Sequence, residues 1–435
     1  MDVAVQAGLI LLVVFAFLLL IGTPIAFSII ISSVITAVVI FPINTSIIIA
    51  AQKAATGVDK LSLLAIPFFI LAGIIMNNGG IAVRLVNFAK VMAGRIPGSL
   101  GQTNVVGNML FGSISGSAVA SAAAMGGILG PMQEKEGYDK TFSATLNIAS
   151  APTGLLIPPS NVLITYSLVS GGTSVAALFM AGYLPGILWG LVTMLVGYII
   201  AKRNKYPVSE KIPAKLKLKL FLEAIPSLML IVIVIGGITA GIFTATEGAA
   251  VAVVYALFLS MFVYRTLKLK DLPKILVETS RTTAIIMFLI AGSTIMSYVM
   301  TVAGIPQMIS ESIIGITDNP IAILLIMNII LLIVGTFMDM TPAILIFTPI
   351  FLPIALQVGM DPIHFGIMIT MNLCIGSITP PVGNCLFIGC RVGNIDIDKV
   401  IKPLIPYYIA IIIALMIVTF VPQLSLWIPK MTGNL

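Results

Sequence analysis

Two stretches of this chain set polar, helix-breaking residues inside sequence apolar enough for a membrane, and both carry oxygens of the kind a hard cation needs. The first is Gly112-Ser-Ile-Ser-Gly-Ser117, read together with Leu156-Ile-Pro-Pro-Ser-Asn161. The second is Gly335-Thr-Phe-Met-Asp-Met-Thr341, followed by Ile378-Thr-Pro-Pro-Val-Gly-Asn384. A helix that breaks inside a membrane leaves unpaired carbonyls at one half-helix end and free amides at the start of the next. The carbonyls suit a cation, while the partial positive charge of the half-helix start suits an anion. The hydroxyls of Ser113, Ser115, Ser117, Thr336 and Thr341 fall where a cation shell needs further oxygens. Asn161 and Asn384, each just beyond a Pro-Pro pair, are placed to add amide oxygens or bonds to a substrate.

The charged residues sort by depth. Asp339 is the one acid deep in an apolar run, and such groups are expensive enough that they usually serve function. Coupling-ion or gate chemistry is expected of it, with a cap for the hairpin's own amides as the alternative. Glu247 begins a span, where helix capping is expected. Arg391 lies at the inner end of the second broken helix, where it either draws a substrate carboxylate or anchors the topology. His364, the only histidine, lies near the predicted outer boundary beside Asp361, and a proton-relay role is not expected of it. Cys374, Cys385 and Cys390 lack structural-zinc spacing and read as small core residues.

These residues need two matched halves to position them. Gly112 and Gly335 are 223 residues apart, Pro158 and Pro380 are 222 apart, and Gly137-Tyr-Asp139 returns as Gly359-Met-Asp361, again at 222. Two interrupted apolar segments per half, at matching positions, are the signature of a secondary transporter with its site between repeats. Composition agrees, with 59% hydrophobic and 9% charged residues against about 25% charged in soluble domains. The net charge of +7 resides in short loops between apolar runs, where it fixes orientation and does not indicate nucleic acid. The amino terminus lacks the basic flank of a secretory signal, so the first apolar run is expected to be a retained span.

The expected fold is an all-α polytopic membrane protein of two inverted repeats, each with a re-entrant hairpin and a broken helix. Residues 1–201 form the first repeat, with a hairpin over 98–130 and a broken helix over 142–169. A cytoplasmic linker, 202–219, precedes the second repeat, 220–435, with a hairpin over 320–355 and a broken helix over 362–390. Lys53 to Lys60 reads as a polar connection, Pro67 should bend the third span, and residues 81–95 suit a helix along the interface. Five spans per half, an odd number, invert the second half relative to the first. With both termini outside, every Lys and Arg of the 23 except Lys53, Lys60 and Lys430 falls in an inside loop, as the positive-inside rule requires.

At the motifs quoted above, and over essentially the whole chain, the sequence resembles the large membrane subunit of tripartite ATP-independent periplasmic (TRAP) transporters, the DctM-like family. The most specific parts are Gly112–Ser117 with Ala118–Pro131, Ser150–Asn161, Gly335–Thr341 and Gly376–Asn384. The resemblance implies an elevator-type carrier of the bacterial inner membrane and no enzyme. It implies a small four-helix membrane subunit as a separate chain and a soluble periplasmic binding protein that delivers an organic anion. The substrate would be a C4-dicarboxylate, a sialic acid or another sugar acid, taken up with sodium and without other cofactor. Carried onto this numbering, sodium sites are expected around Ser113, Ser115, Ser117 and Pro158, and around Gly335, Thr336, Thr341 and Thr379.

Other classes fit less well. An intramembrane hydrolase using Ser115 or Ser117 lacks a positioned base and leaves the mirrored site unexplained. A channel does not explain the inverted symmetry. The alternative reading is a proton-coupled organic acid carrier in which Asp339 carries the proton.

Overall fold

The register of the repeat has a local cause at its sharpest marker. Gly137 and Gly359 both take left-handed backbone, with φ of 82° and 80°, which glycine adopts without steric cost. Around them the Tyr138 amide bonds to the Gln133 carbonyl at 3.0 Å and the Met360 amide to the Ala355 carbonyl at 2.9 Å. This closes the same type of helix end twice. Two residues after each glycine, the Asp139 and Asp361 carboxylates accept from the Phe142 and Ile363 amides at 3.0 and 2.7 Å and start the next helix.

The computed structural model describes residues 3–208, 213–315 and 317–435, and the regular elements within them are helices. The first half runs α1 (Val3–Leu20), α2 (Ile25–Ile40), α3 (Ile43–Val58), α4 (Ala65–Asn78) and α5 (Ile81–Ala93). Then come the hairpin arms α6 (Ser99–Ser115) and α7 (Ala118–Lys135), the broken helix α8 (Lys140–Ser150), α9 (Thr153–Leu156) and α10 (Asn161–Val169), and α11 (Val175–Arg203). The second half runs α12 (Ala214–Thr239), α13 (Ala245–Phe258), α14 (Leu272–Val302) and α15 (Ile305–Ile314). It continues with the hairpin arms α16 (Pro320–Phe337) and α17 (Met340–Gln357), the broken helix α18 (Pro362–Ser377) and α19 (Asn384–Gly393), then α20 (Ile397–Phe420) and α21 (Gln423–Met431). Adding 222 to both bounds of α7 gives both bounds of α17. The same shift takes the first residues of α8 and α11 onto those of α18 and α20.

Packing between the halves is reciprocal. Helix α4 lies on α13 as α2 lies on α14; α5 on α12 as α1 on α15; α7 on α19 as α10 on α17; α8 on α20 as α18 on α11. Such exchange is what a two-fold axis between repeats produces. A residue meets its own mate only where that axis passes, and Cys374 Sγ lies 3.8 Å from the carbonyl of Pro152, 222 residues earlier. The axis therefore runs between the two broken helices.

Among the described residues, nine helices are long and apolar enough to cross a membrane. The rim and the interior are distinct. In α1 only 17% of the spanning window is buried, against 67% in hairpin arm α17, and every residue of α18 after Pro362 is buried. The hairpins and broken helices form the core, and the outer helices turn apolar side chains outward.

Several expected boundaries move. Lys53 lies on α3, which packs against α2 and α14 and sets its ammonium 4.2 Å from the Tyr298 ring centroid; the connection shrinks to Asp59 and Lys60. Pro67 falls in the first turn of α4, where a missing amide donor costs nothing, and the chain enters that helix through a 3-10 turn at Leu61–Leu64. The basic stretch 202–219 is helical at both ends, because α11 runs to Arg203 and α12 begins at Ala214; its residues 209–212 lie outside the described part. Helix α21, packed on α11, was not anticipated.

Inside each half the hairpin meets its own broken helix through paired glycines. A Cβ on Gly154 would lie 2.3 Å from the Cα of Gly112, and one on Gly376 would lie 2.4 Å from the Cα of Gly335. Backbones this close leave no room for a methyl group. Gly154→Ala is expected to destabilise the protein by about 1–3 kcal/mol through overpacking, seen as a fall of the thermal midpoint in detergent. Gly127→Ala, which meets no atom within 4 Å, should keep or raise that midpoint. Equal midpoints for Gly154→Ala and the parent would refute the contact.

Candidate functional site

The first tip is a two-residue break. Helix α6 ends because Gly116 takes left-handed backbone (φ 60°) while its amide still reaches the Gly112 carbonyl at 2.8 Å. Helix α7 restarts at once, since Ser117 is extended and its Oγ accepts from the Ala120 amide at 3.3 Å. The first broken helix is seated against this break: a Cβ on Gly116 would lie 3.1 Å from the Pro159 carbonyl oxygen and 3.4 Å from Asn161 Nδ2. On another side Gly73 of α4 approaches, and a Cβ there would lie 3.0 Å from the Ser115 carbonyl oxygen.

The oxygens at this tip differ in availability. Ser113 Oγ donates to the Leu110 carbonyl at 2.8 Å, turned back into its own helix. Ser115 Oγ makes only long bonds, 3.5 Å to the Gly112 carbonyl and 3.4 Å to the Ser117 carbonyl. Asn161 Oδ1 is buried and has no hydrogen-bond partner. A buried amide oxygen left unpaired costs roughly 1–3 kcal/mol, and this atom is free to accept a donor or meet a cation. Pro158 is buried within the break, and its contribution to any site is backbone.

The second tip is strapped to the second Pro-Pro break. The Thr336 carbonyl accepts from the Val382 amide at 3.1 Å. Asp339 occupies the N-cap position of α17, yet its side chain makes no capping bond. Its Oδ1 instead accepts from Asn384 Nδ2 at 2.8 Å. Asp339 is exposed, which corrects the expectation of a deeply buried acid: extended backbone at Met338 and Asp339 carries the carboxylate out of the helix. The hydroxyls of Thr336 and Thr379 are turned back to the Ile333 and Ile375 carbonyls, each at 2.7 Å. Thr341 is half-buried in the first turn of α17, and Gly335 is buried one turn before the break against Gly376.

The two tips are linked through the broken helices. Asn161 begins α10, which packs on α17 of the second tip, and Asn384 begins α19, which packs on α7 of the first. Each asparagine therefore borders its own half's tip and heads the helix that supports the other's. Arg391 is not brought in. It is exposed in the last turn of α19, about 10 Å along the helix from Asn384 at 1.5 Å per residue. Glu247 forms the expected cap, exchanging bonds of 2.8 and 3.2 Å with the backbone and hydroxyl of Thr244. The His364 Nε2 lies 2.8 Å from the Val418 carbonyl oxygen, tying α18 to α20.

Chemically, the site offers carbonyl, amide and hydroxyl oxygens. No group of three His, Cys, Asp or Glu suited to a metal ion occurs among the described residues. This donor set fits a hard cation of low charge better than a transition metal. Gly154, Gly376 and Gly73 hold the site together without contributing polar side chains. The pair Gly154 and Gly376 was findable, since it too obeys the 222-residue shift.

The family model described as the DctM component of tripartite ATP-independent periplasmic transporters matches residues 12–424. The chain is 54% identical over 417 residues to an uncharacterised protein of Salmonella typhimurium, YgiK, covering 96% of each. It is 40% identical over 414 residues to the sialic acid TRAP transporter large permease protein SiaM of Vibrio cholerae, covering 95% of this chain and 96% of that one. To the C4-dicarboxylate TRAP transporter large permease protein DctM of Pseudomonas aeruginosa it is 41% identical over 375 residues, 86% and 88% of the two chains. The crystal structure of the YdaH transporter from Alcanivorax borkumensis matches with a TM-score of 0.61 at 12% identity over 86% of both chains, a likeness of fold.

The geometry separates Asn384 from Arg391. Asn384→Ala removes a bond to an exposed carboxylate, so stability should change by no more than about 1 kcal/mol, while the substrate concentration for half-maximal uptake rises several-fold. Arg391→Gln should leave that concentration within twofold. The reverse order in an uptake titration would move the substrate away from the tips.

Proposed function

The chain belongs to the DctM family of tripartite ATP-independent periplasmic transporters, and from that premise we propose that it takes up a small organic acid together with sodium ions. It is a multi-pass secondary carrier of the bacterial inner membrane and not an enzyme. The sodium reading rests above all on two features of the first tip: Asn161 Oδ1, buried without a partner among the described residues, and the loosely bonded Ser115 hydroxyl beside the Ser117 carbonyl. The second tip repeats the break, with Thr336, Asp339, Thr341 and Thr379 near it. Two such sites imply more than one sodium per substrate.

Relatives named for sialic acid and for C4-dicarboxylates both handle carboxylates, which supports an organic acid seated between the tips. Its carboxylate would meet half-helix amides and the amides of Asn161 and Asn384. The tripartite description supports two partners: a small membrane subunit carried on a separate chain, and a soluble periplasmic protein that binds the acid first. We read residues 1–201 and 220–435 as the two repeats. The hairpins and broken helices of both move together as an elevator, because open backbone at membrane depth stays satisfied only while packed in protein.

Uptake into vesicles holding the protein and its small subunit, with the binding protein supplied outside, should need a sodium gradient and no ATP. Equal uptake with potassium in place of sodium at fixed pH would sink the sodium reading. Ser115→Ala and Thr341→Ala should each raise the sodium concentration for half-maximal uptake several-fold, with partial recovery at saturating sodium, since a weakened site needs more free ion for the same occupancy. Gly127→Ala should not shift it. Unchanged sodium dependence in both tip variants would leave coordination to backbone carbonyls alone.

A further inference from the structure

A second polar feature lies away from the tips, at the inner end of the first hairpin. A cavity of about 180 Å³ opens there between α6, α7, α8 and the end of α19, lined by Asn104, Gln133, Ser143, Asn147, Glu134 and Lys140 among others. Under the positive-inside orientation its mouth faces the cytoplasm, where Lys140 and Glu134 pair at 3.0 Å and leave the entrance with little net charge. Three lining residues carry buried polar atoms without any partner: Asn104 Nδ2, Gln133 Oε1 and Ser143 Oγ. Their side chains belong to residues only 1%, 1% and 9% exposed. A cavity of this size has room for about six waters at roughly 30 Å³ each, and its polar lining residues favour hydration.

The floor of the cavity continues as a chain of side chains toward the first tip. Asn108 Nδ2 lies 2.9 Å from Asn104 Oδ1, 3.0 Å from Asn147 Oδ1 and 2.7 Å from Ser150 Oγ, its two hydrogens shared among the three. Asn108 Oδ1 accepts from Ser121 Oγ at 2.7 Å. Ser121 Oγ in turn would lie 3.4 Å from a Cβ on Gly112, the residue whose carbonyl takes the amide of Gly116 in the tip. Side-chain oxygens thus lead stepwise from the cavity to one helical turn below the break.

The other half shows that the fold does not need these polar residues. At the shift of 222, Asn104, Asn108, Gln133, Ser143 and Asn147 correspond to Ile326, Ile330, Ala355, Phe365 and Ile369. Ala355, Phe365 and Ile369 are each 0% exposed, so the mirrored space is filled with apolar side chains. The same helices at the same register carry apolar side chains at these five positions in one half and polar ones in the other, whereas Ser150 corresponds to Asn372, which stays polar and bonds to Asn328. A packing role is common to both halves, so it does not account for the difference.

We propose that this cavity is a water-filled vestibule open to the cytoplasm and that, with the amide chain at its floor, it is the route by which the cation held at the first tip leaves. The inference rests on the sodium reading of that tip. The five mirrored positions in the second half are apolar, so the two cations are released by different paths and the first one drains through the body of the hairpin domain.

Two measurements test it. In inside-out membrane vesicles, Ser143→Cys should be labelled by a membrane-impermeant thiol reagent, above the background from the parent with its three buried cysteines; right-side-out vesicles should show none. No labelling in either orientation would mean a dry cavity and end the proposal. The second measurement uses Ser143→Phe and Gln133→Ala, which install the residues of the mirrored half. Net sodium-driven uptake should fall about tenfold, while substrate exchange at saturating sodium on both sides, which needs no cation release, stays within twofold of the parent. Net uptake and exchange falling together, or neither falling, would overturn the proposal even with Ser143→Cys labelled. A parent whose uptake ignores sodium would defeat the functional reading itself, and this inference with it.

Discussion

The constraint on which this structure depends is that a backbone broken inside a membrane has no water to satisfy it. Every unpaired amide or carbonyl in hydrocarbon costs several kcal/mol, so a break survives only when protein surrounds it. This chain breaks four helices, at Gly116, at Pro158-Pro159, at Met338-Asp339 and at Pro380-Pro381, and it seats each hairpin break against a proline break. The Thr336 carbonyl takes the Val382 amide, and the Pro159 carbonyl stands over Gly116. Paired glycines let the backbones approach closely enough for such exchange. The burial of α18 and the exposure of α1 follow from the same need: outer helices take the lipid so that the broken ones do not.

Duplication ties these breaks to one another. With the axis passing between Pro152 and Cys374, each asparagine that follows a break heads a helix packed on the opposite half. The arrangement also explains why the hairpins cannot be treated as independent gates: α7 rests on α19 and α17 on α10, so displacing one hairpin disturbs the other half's broken helix.

The departures from symmetry are as informative as the symmetry. The first tip is a compact Ser-Gly-Ser break with an unpartnered amide oxygen, whereas the second carries an exposed carboxylate paired to an amide. The first hairpin lines a cavity at its inner end with polar side chains, and the mirrored positions in the second half are apolar. In an inverted repeat these two ends face opposite sides of the membrane, and a carrier that must bind on one side and release on the other has reason to differ there.

How much was legible in the sequence depends on how local each cause is. Membrane class, the broken positions, the 222-residue register and most helix ends could be read directly, because they follow from composition, from glycine and proline, and from capping carboxylates such as Asp139 and Asp361, which act within a few residues. Glu247 as a cap belongs to this group. Tertiary structure alone decided which oxygens are free: Ser113, Thr336 and Thr379 bond back closely to their own helices, Ser115 makes only long bonds, and Asn161 Oδ1 has no partner among the described residues. It decided that Asp339 lies exposed beside Asn384, 45 residues later, and that Arg391 sits two turns away from the tips. It also set Lys53 on a helix against Tyr298. The orientation of a hydroxyl, an amide or a carboxylate is fixed by whichever partner the rest of the fold brings within 3 Å, and residue spacing along the chain carries no record of that partner.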